Sequence, residues 1–474
     1  MNLKGLITRL LDKMIEVKYY NENIKKEVFE FLRLKFPSYE NSNYIKLEIT
    51  DLEDFNLKIE SDFFKGEILV EKTSDIREQK ILIKQKLYKA LKPHFESYDK
   101  WGILTGVRPV KLIIKLLRNY SDLEVMNILK FKYFVAEDLV EYLMDIAKRE
   151  LKVICPIDPK SYSIYVHIPF CPSKCSYCSF QTQIYNSKVA DDYIERLVKD
   201  LERESFYFKG EPKSIYIGGG TPTSIGVKSL QKIIKILNSR YGNPSEFTVE
   251  CGRPDTISRD MLLMLKEEGV NRISINPQSM NDITLNKIGR NHSVKDIYNS
   301  FSLARDLGFD FINMDLIVGL PREGITDNKK TLKEILKLNP ENITVHTLSI
   351  KNGSKLYEEK YRGSNSIENI FDFIDKETYS VGYYPYYLYR QKRMIGNGEN
   401  VGYSKEGFES IYNIYMMEEK QSIIGFGMSS SSKFFFPKED RIESIMNFRN
   451  IKDYIERNDE IFSKKLNYYR DFKF

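Results

Sequence analysis

"SIYVHIPFCPSKCSYC", residues 163–178, sets a short apolar, β-branched run directly before three cysteines. The run reads as a buried strand and the cysteines as the loop leaving its C-terminal end. Their spacing is Cys171-x3-Cys175-x2-Cys178, while Cys155 and Cys251 lie well away. Three close thiols are unmatched as a disulfide framework and one short of a four-thiolate metal site.

Outward from this stretch, strand and helix patterns alternate. The helical run "DDYIERLVKDLERESFYF" is followed by "SIYIGGGTP", then by "SLQKIIKILNSRY" with Leu230, Ile233, Ile234 and Leu237 on one face. "EFTVECGRP" is a third strand, and "SRDMLLMLKEEG" a helix with Ser258 as N-cap and Gly269 past its end. "RISINPQS", "FINMDLIVGLP" and "NITVHTLSI" open three more units, the last completed by a helix near residues 366–380. Such alternation implies parallel strands joined by right-handed crossovers. Six units fall short of an eight-fold barrel, so a curved, partly open barrel is expected. Its chemistry belongs at the C-terminal strand ends, where "GGGTP", "ECGRP", "NPQS" and "GLP" also fall.

Residues 1–155 read as a separate α+β domain, with short antiparallel strands in "YIKLEITDLEDFNLKIESDFFKGEILVEK" and helices such as "AEDLVEYLMDIAKREL". The prolines of "CPIDPKS" mark the boundary. The barrel is expected over 156–380, and a third region over 381–474, tyrosine-rich at its start. The chain has 474 residues, 42% apolar and 30% charged, with 73 basic and 67 acidic side chains. That composition suits an ordinary globular protein, and the +6 excess is too small to argue for a nucleic-acid partner. No apolar run reaches the roughly 18 residues of a membrane span. The charged N-terminus is unlike a signal peptide, and the few cysteines suit a reducing compartment, so a cytoplasmic location is expected.

Thiolate is the soft ligand that iron–sulfur clusters select. Three cysteines on a four-iron cluster leave one iron open for a chelating small molecule. Structural zinc is the alternative, with His167, Cys155 or Cys251 as fourth ligand, but zinc sites usually pair two short hooks and only one is present.

"YVHIPFCPSKCSYC" resembles the signature of radical S-adenosylmethionine (SAM) enzymes, and more narrowly the oxygen-independent coproporphyrinogen III oxidase family. The resemblance runs from about residue 161 to the C-terminus, through "GGGTP" (218–222), "VECGRPD" (249–255), "INPQS" (275–279), "IGRNHS" (288–293), "NMDLIVGLP" (313–321) and "IIGFGMSSSS" (423–432). "WGILTGVRPVK" (101–111) and "PYYLYRQKRMIGNGENVGY" (385–403) resemble the HemZ-type coproporphyrinogen dehydrogenase branch.

The fold implied is a partial (β/α)6 radical SAM barrel with a C-terminal extension and the additional α+β domain. The resemblance implies that Cys171, Cys175 and Cys178 ligate a [4Fe–4S] cluster whose open iron binds SAM. Gly219, Gly220 and Thr221 are expected at the amino-acid end of SAM, since glycines let backbone approach a ligand. Glu250 is expected to accept from the ribose hydroxyls, and Arg290 to pair with the SAM carboxylate. Gln278 and Asp315 match family positions that contact SAM, Tyr177 is expected against the adenine, and Leu348 along its pocket. Tyr165 and His167 are the candidate catalytic side chains, Tyr165 at the cofactor and His167 beside the cluster. Where some family members carry a further cysteine, this chain has Phe180.

The resemblance also implies a tetrapyrrole substrate, a reducing electron donor such as flavodoxin or ferredoxin, and oxidative decarboxylation of propionates to vinyl groups. Arg253, Arg290, Arg390, Lys392 and Arg393 are available for substrate carboxylates, and 383–389 for an aromatic wall or, equally, a packed core segment. Rival readings are a haem chaperone, a radical SAM methylase or haem-opening enzyme, and RNA modification. Against the chaperone, the only tryptophan is Trp101 and no histidine follows His346.

Overall fold

Alternating apolar positions build the N-terminal sheet. In the computed structural model, which describes residues 15–36, 44–51, 53–95, 99–361, 370–391 and 394–472, β1 (Ile15–Lys18), β2 (Ile45–Asp51), β3 (Phe55–Ser61) and β4 (Lys65–Val70) lie in that order. β1 and β2 are parallel and the rest antiparallel. Leu47, Leu57 and Ile59 are fully buried with Phe31 and Leu32 of α1 (Glu22–Lys35) and Ile83 and Leu87 of α2 (Ile76–Leu91). Asn21 and Asp75 cap these helices with side-chain oxygens.

The chain divides into two compact units, residues 1–147 and 148–474, the division falling inside α3 (Glu137–Ile154). The second unit is built on one eleven-stranded sheet. β5 (Tyr162–Ile168), β6 (Ser214–Gly219), β7 (Glu246–Glu250), β8 (Arg272–Ser274), β9 (Phe311–Val318) and β10 (Asn342–Thr347) follow one another side by side, all parallel. Between them run α4 (Ser187–Ser205), α5 (Val227–Tyr241), α6 (Arg259–Glu267), α7 (Val294–Asp306) and α8 (Ile325–Leu338). This is the partial barrel: near-continuous burial along each strand is what helices on the outer face impose. Ser258 caps α6 by accepting from the Met261 amide.

Residues after 380, read from sequence as a third region, add strands to both edges of this sheet. β11 (Tyr384–Tyr389) and β12 (Asn400–Ser404) extend it beyond β10 in antiparallel fashion. β13 (Ser422–Phe426) runs parallel to β5, followed by antiparallel β14 (Ser431–Phe436) and β15 (Arg441–Met446). The barrel edges at β5 and β10 carry unpaired backbone groups, and these strands satisfy them. Of the helix expected near 366–380, Ile370–Ser380 is helical and the residues before it lie outside the described set. Between β12 and β13 lies α10 (Ile411–Glu418), counting Ile370–Ser380 as α9, and α11 (Ile451–Phe472) closes the chain. Among the described residues no helix is long and apolar enough to cross a membrane.

Candidate active site

The cysteine loop leaves β5 at Ile168 and is pinned along its length. Phe170–Cys171 pairs with Gln183–Ile184, and the Tyr185 amide donates to Cys171 O at 2.9 Å. The Cys178 amide closes a turn on Cys175 O at 3.1 Å, while the Ser176 amide donates to Ile288 O at 3.0 Å. Burial pushes the Cys171 thiol up, against a 3.6 Å contact from the Thr221 hydroxyl. Burial likewise pushes Cys178 up to about 11, against the Phe180 amide, with the neighbouring thiols adding to the rise. Among the described residues no three His, Cys, Asp or Glu side chains are arranged to hold a metal ion. The donor chemistry nevertheless fits an iron–sulfur cluster. Three soft sulfurs share one pinned loop and feel one another's charge, and the guanidiniums of Arg253 and Arg290 both reach Cys175.

The glycine turn after β6 packs against this loop. Gly219 has φ +114°, and a Cβ there would sit 2.8 Å from the His167 ring. A Cβ on Gly220 would meet Phe170 O at 2.6 Å and Cys171 Sγ at 3.0 Å, and one on Gly218 would meet Glu250 Oε2 at 3.1 Å. The close approach these glycines permit is therefore to the protein's own site residues. Thr221 is buried, its amide donating to Phe170 O at 2.7 Å.

Inside the barrel the polar side chains form a connected set. The Tyr165 hydroxyl lies 3.2 Å from His167 Nδ1. Burial pushes His167 down to about 4, so its ring is neutral near pH 7. Tyr216 donates to Glu250, which burial nonetheless pushes up to about 7. Asp315 stays below the usual carboxylate range despite burial, because His346, Asn313 and Thr344 favour its charge. Gln278 has φ +65°, donates its amide to Asp315 O and accepts from the Ile317 amide, both at 2.9 Å. Its Oε1 is buried with no partner among the described residues. Arg290 donates to Asn276 O and lies against the Tyr177 hydroxyl. Leu348 is buried, with its amide on Val318 O at 2.9 Å.

The radical SAM superfamily pattern matches residues 165–335, from within β5 through the cysteine loop to within α8. The oxygen-independent coproporphyrinogen-III oxidase-like protein HemZ of Bacillus subtilis is 38% identical over 397 residues, covering 80% of this chain and 78% of that protein. The chain belongs to the radical SAM oxygen-independent coproporphyrinogen III oxidase family, in its HemZ-type branch. That family works with a [4Fe–4S] cluster and SAM. The heme chaperone HemW of Bacillus subtilis is 32% identical over 277 residues, covering 56% of this chain and 69% of that protein. The solved coproporphyrinogen III oxidase HemN of Escherichia coli shares the fold with TM-score 0.51 at 22% identity, covering 65% of this chain and 72% of that one.

One expectation changes in this HemZ-type chain, and one open alternative resolves. Arg253 is not open to a substrate: it is 2% exposed and its guanidinium binds Asp255 and the cysteine loop. Arg290 and Arg390 are also buried, and Lys392 and Arg393 lie outside the described residues. In the tyrosine-rich stretch, Tyr383, Tyr386 and Tyr387 are core, because β11 continues the sheet and Tyr387 packs onto the bare backbone of Gly402. Sequence reasoning gave no place to Asp255, His292, Tyr216 or Tyr412. The two-residue spacing of Arg253 and Asp255 was the available signal for the first. The tyrosines lack a motif, and only the barrel brings their rings to 4.5 Å.

Proposed function

We propose that this protein carries out radical SAM oxidative decarboxylation of coproporphyrinogen III propionates to vinyl groups, giving protoporphyrinogen IX. The supporting observation is the convergence of the cysteine loop, Glu250, Gln278, Asp315 and Arg290 on one mouth of the barrel in a chain 38% identical to a HemZ protein. When bound, the cluster and SAM would supply a 5′-deoxyadenosyl radical able to take a hydrogen atom from a propionate β-carbon; loss of CO2, with one electron passed to an external one-electron acceptor, would leave the vinyl group. Cys171, Cys175 and Cys178 would hold the cluster. Gly219, Gly220 and Thr221 would meet the amino-acid end of SAM, and Glu250 would accept from the ribose hydroxyls once ionised. Arg290 would pair with the SAM carboxylate, Gln278 and Asp315 would contact SAM, Tyr177 would lie against the adenine and Leu348 along its pocket. Neutral His167, held by Tyr165, adds no charge beside the cluster. The tetrapyrrole would bind at the mouth, with residues 381–474 contributing to its site. A low-potential donor such as flavodoxin or ferredoxin provides the electron.

A haem chaperone is the second reading, favoured by the 32% identity to HemW. Anaerobic incubation of reconstituted protein with SAM and dithionite, in parallel with coproporphyrinogen III and with haem, separates the two. Protoporphyrinogen formation supports decarboxylation. SAM cleavage without it overturns the substrate, and stoichiometric haem binding without SAM cleavage establishes the chaperone.

A further inference from the structure

Arg253 follows β7 and carries its charge into a place where burial demands compensation. One edge of its guanidinium is a fork on Asp255, Nε to Oδ1 at 2.9 Å and Nη2 to Oδ2 at 2.7 Å. The remaining nitrogen, Nη1, points at the cysteine loop. It donates to Ser173 Oγ at 2.8 Å and Ser173 O at 3.2 Å, and lies 4.0 Å from Cys175 Sγ. Ser173 Oγ passes the tie on to Gly289 O at 3.1 Å, beside Arg290. Asp255 is backed by His292, whose Nδ1 is 3.9 Å away. The Thr256 hydroxyl holds Arg253 O at 2.9 Å, and Thr223 from the segment after the glycine turn holds that hydroxyl at 2.6 Å. Arg290 also reaches Cys175; Cys171 faces the Thr221 and Thr182 hydroxyls and feels Arg253 only through space, and Cys178 faces the Phe180 backbone amide and feels Lys174 through space.

We propose that Arg253, braced by Asp255, is a positioning residue for the cluster-binding loop, fixing Ser173 and keeping a permanent positive charge beside the Cys175 sulfur. The proposal rests on the reading of Cys171, Cys175 and Cys178 as cluster ligands. A guanidinium suits the task because its planar fork engages Asp255 and the loop at once, which an ammonium cannot do. Positive charge beside a ligand sulfur favours the more negative, reduced state of the bound cluster and so raises its potential.

The test uses full-length protein reconstituted anaerobically: wild type, R253K, R253Q and, as a surface control, R240Q. Iron and sulfide per chain, iron loss to a chelator, and an EPR-monitored redox titration are measured. R253Q is expected to lower the reduced-to-oxidised ratio at the wild-type midpoint by about tenfold, equivalent to about 59 mV for one electron. R253K is expected to keep the potential and lose iron faster. Wild-type potential and iron retention in R253Q overturn the proposal. Where R253Q does not fold, R253K decides: wild-type iron retention overturns it, and faster loss at unchanged potential supports it. Wild-type protein without iron and labile sulfide overturns the reading of the loop itself, a result distinct from either.

Discussion

A single methyl group at Gly220 tests whether the glycine turn sets the position of the cysteine loop. The Gly220 amide donates to Ile168 O and the Thr221 amide to Phe170 O, both at 2.7 Å, stitching the turn to the start of the loop. A Cβ on residue 220 would lie 2.6 Å from Phe170 O and 3.0 Å from both Ile168 O and Cys171 Sγ. Two of these three atoms are backbone and cannot swing aside. Overpacking of this kind costs about 1–3 kcal/mol. Loosening the two stitches adds about 1 kcal/mol. For a unit of this size the total corresponds to a Tm lowered by roughly 3–6 °C. G210A is the control, since its Cβ meets nothing within 4 Å, and its effect is expected within about 0.5 kcal/mol. Calorimetry of the apoprotein gives the Tm, and iron per chain after reconstitution gives the consequence for the loop. G220A is expected to melt lower and hold less iron. G220A melting within about 1–2 °C of wild type with a full iron complement would falsify the argument that this turn constrains Cys171.

C175A is expected to abolish iron and sulfide retention, whereas C251A keeps both, because Cys251 is a fully buried thiol that burial holds protonated; metal analysis distinguishes this from a zinc site using Cys251 as fourth ligand. Glu250 is raised from 4.5 to about 7, so its bound proton stabilises the fold fully below pH 4.5 and that contribution is lost as pH rises through 7. E250Q should flatten the fall in Tm between about pH 5 and about pH 8, and an unchanged slope refutes the assignment. Glu150 is fully buried beside Glu418 and is raised first by burial and then by that second carboxyl. By the same sign E150Q should raise Tm at alkaline pH and change it little in acid, which a pH series of melting curves reads directly.

Periodicity made the six parallel units legible because each strand is a short apolar run followed by an amphipathic helix. "SIIGF", the seventh parallel strand, carries no such signal, because five buried residues without a following crossover helix look the same as any core segment. The cysteine loop and the glycine turn were visible as motifs, but their contact was not. The 2.6–3.0 Å approaches of Gly220 depend on β5 and β6 ending side by side. Arg253 shows the opposite failure. Composition marked it as an available cation, yet only its burial and the Asp255 fork assign that cation to the loop. The tyrosines of 383–389 read equally as core or wall, since the choice turns on which neighbour the strand finds, and β12 supplies Gly402.

The segment after residue 380 also shapes the site from beneath. Glu246, the first residue of β7, accepts from Ser410 Oγ at 2.9 Å, the Ile411 amide at 2.8 Å and the Tyr412 amide at 3.1 Å. A carboxylate at that place complements the positive end of α10 and fixes its first turn. Tyr412 then stacks beneath Tyr216 at 4.5 Å and reaches Tyr165 at 6.2 Å. Such pairs contribute about 0.5–1.5 kcal/mol each beyond their buried area, enough to hold the Tyr216 ring where its hydroxyl meets Glu250. One strand therefore carries the anchor of the floor at its first residue and the carboxylate of the mouth at its last. A change in α10 reaches Glu250 through two stacked rings, without touching the loop that bears the cysteines. The C-terminal segment thus helps fix the ring whose hydroxyl meets Glu250 at the barrel mouth.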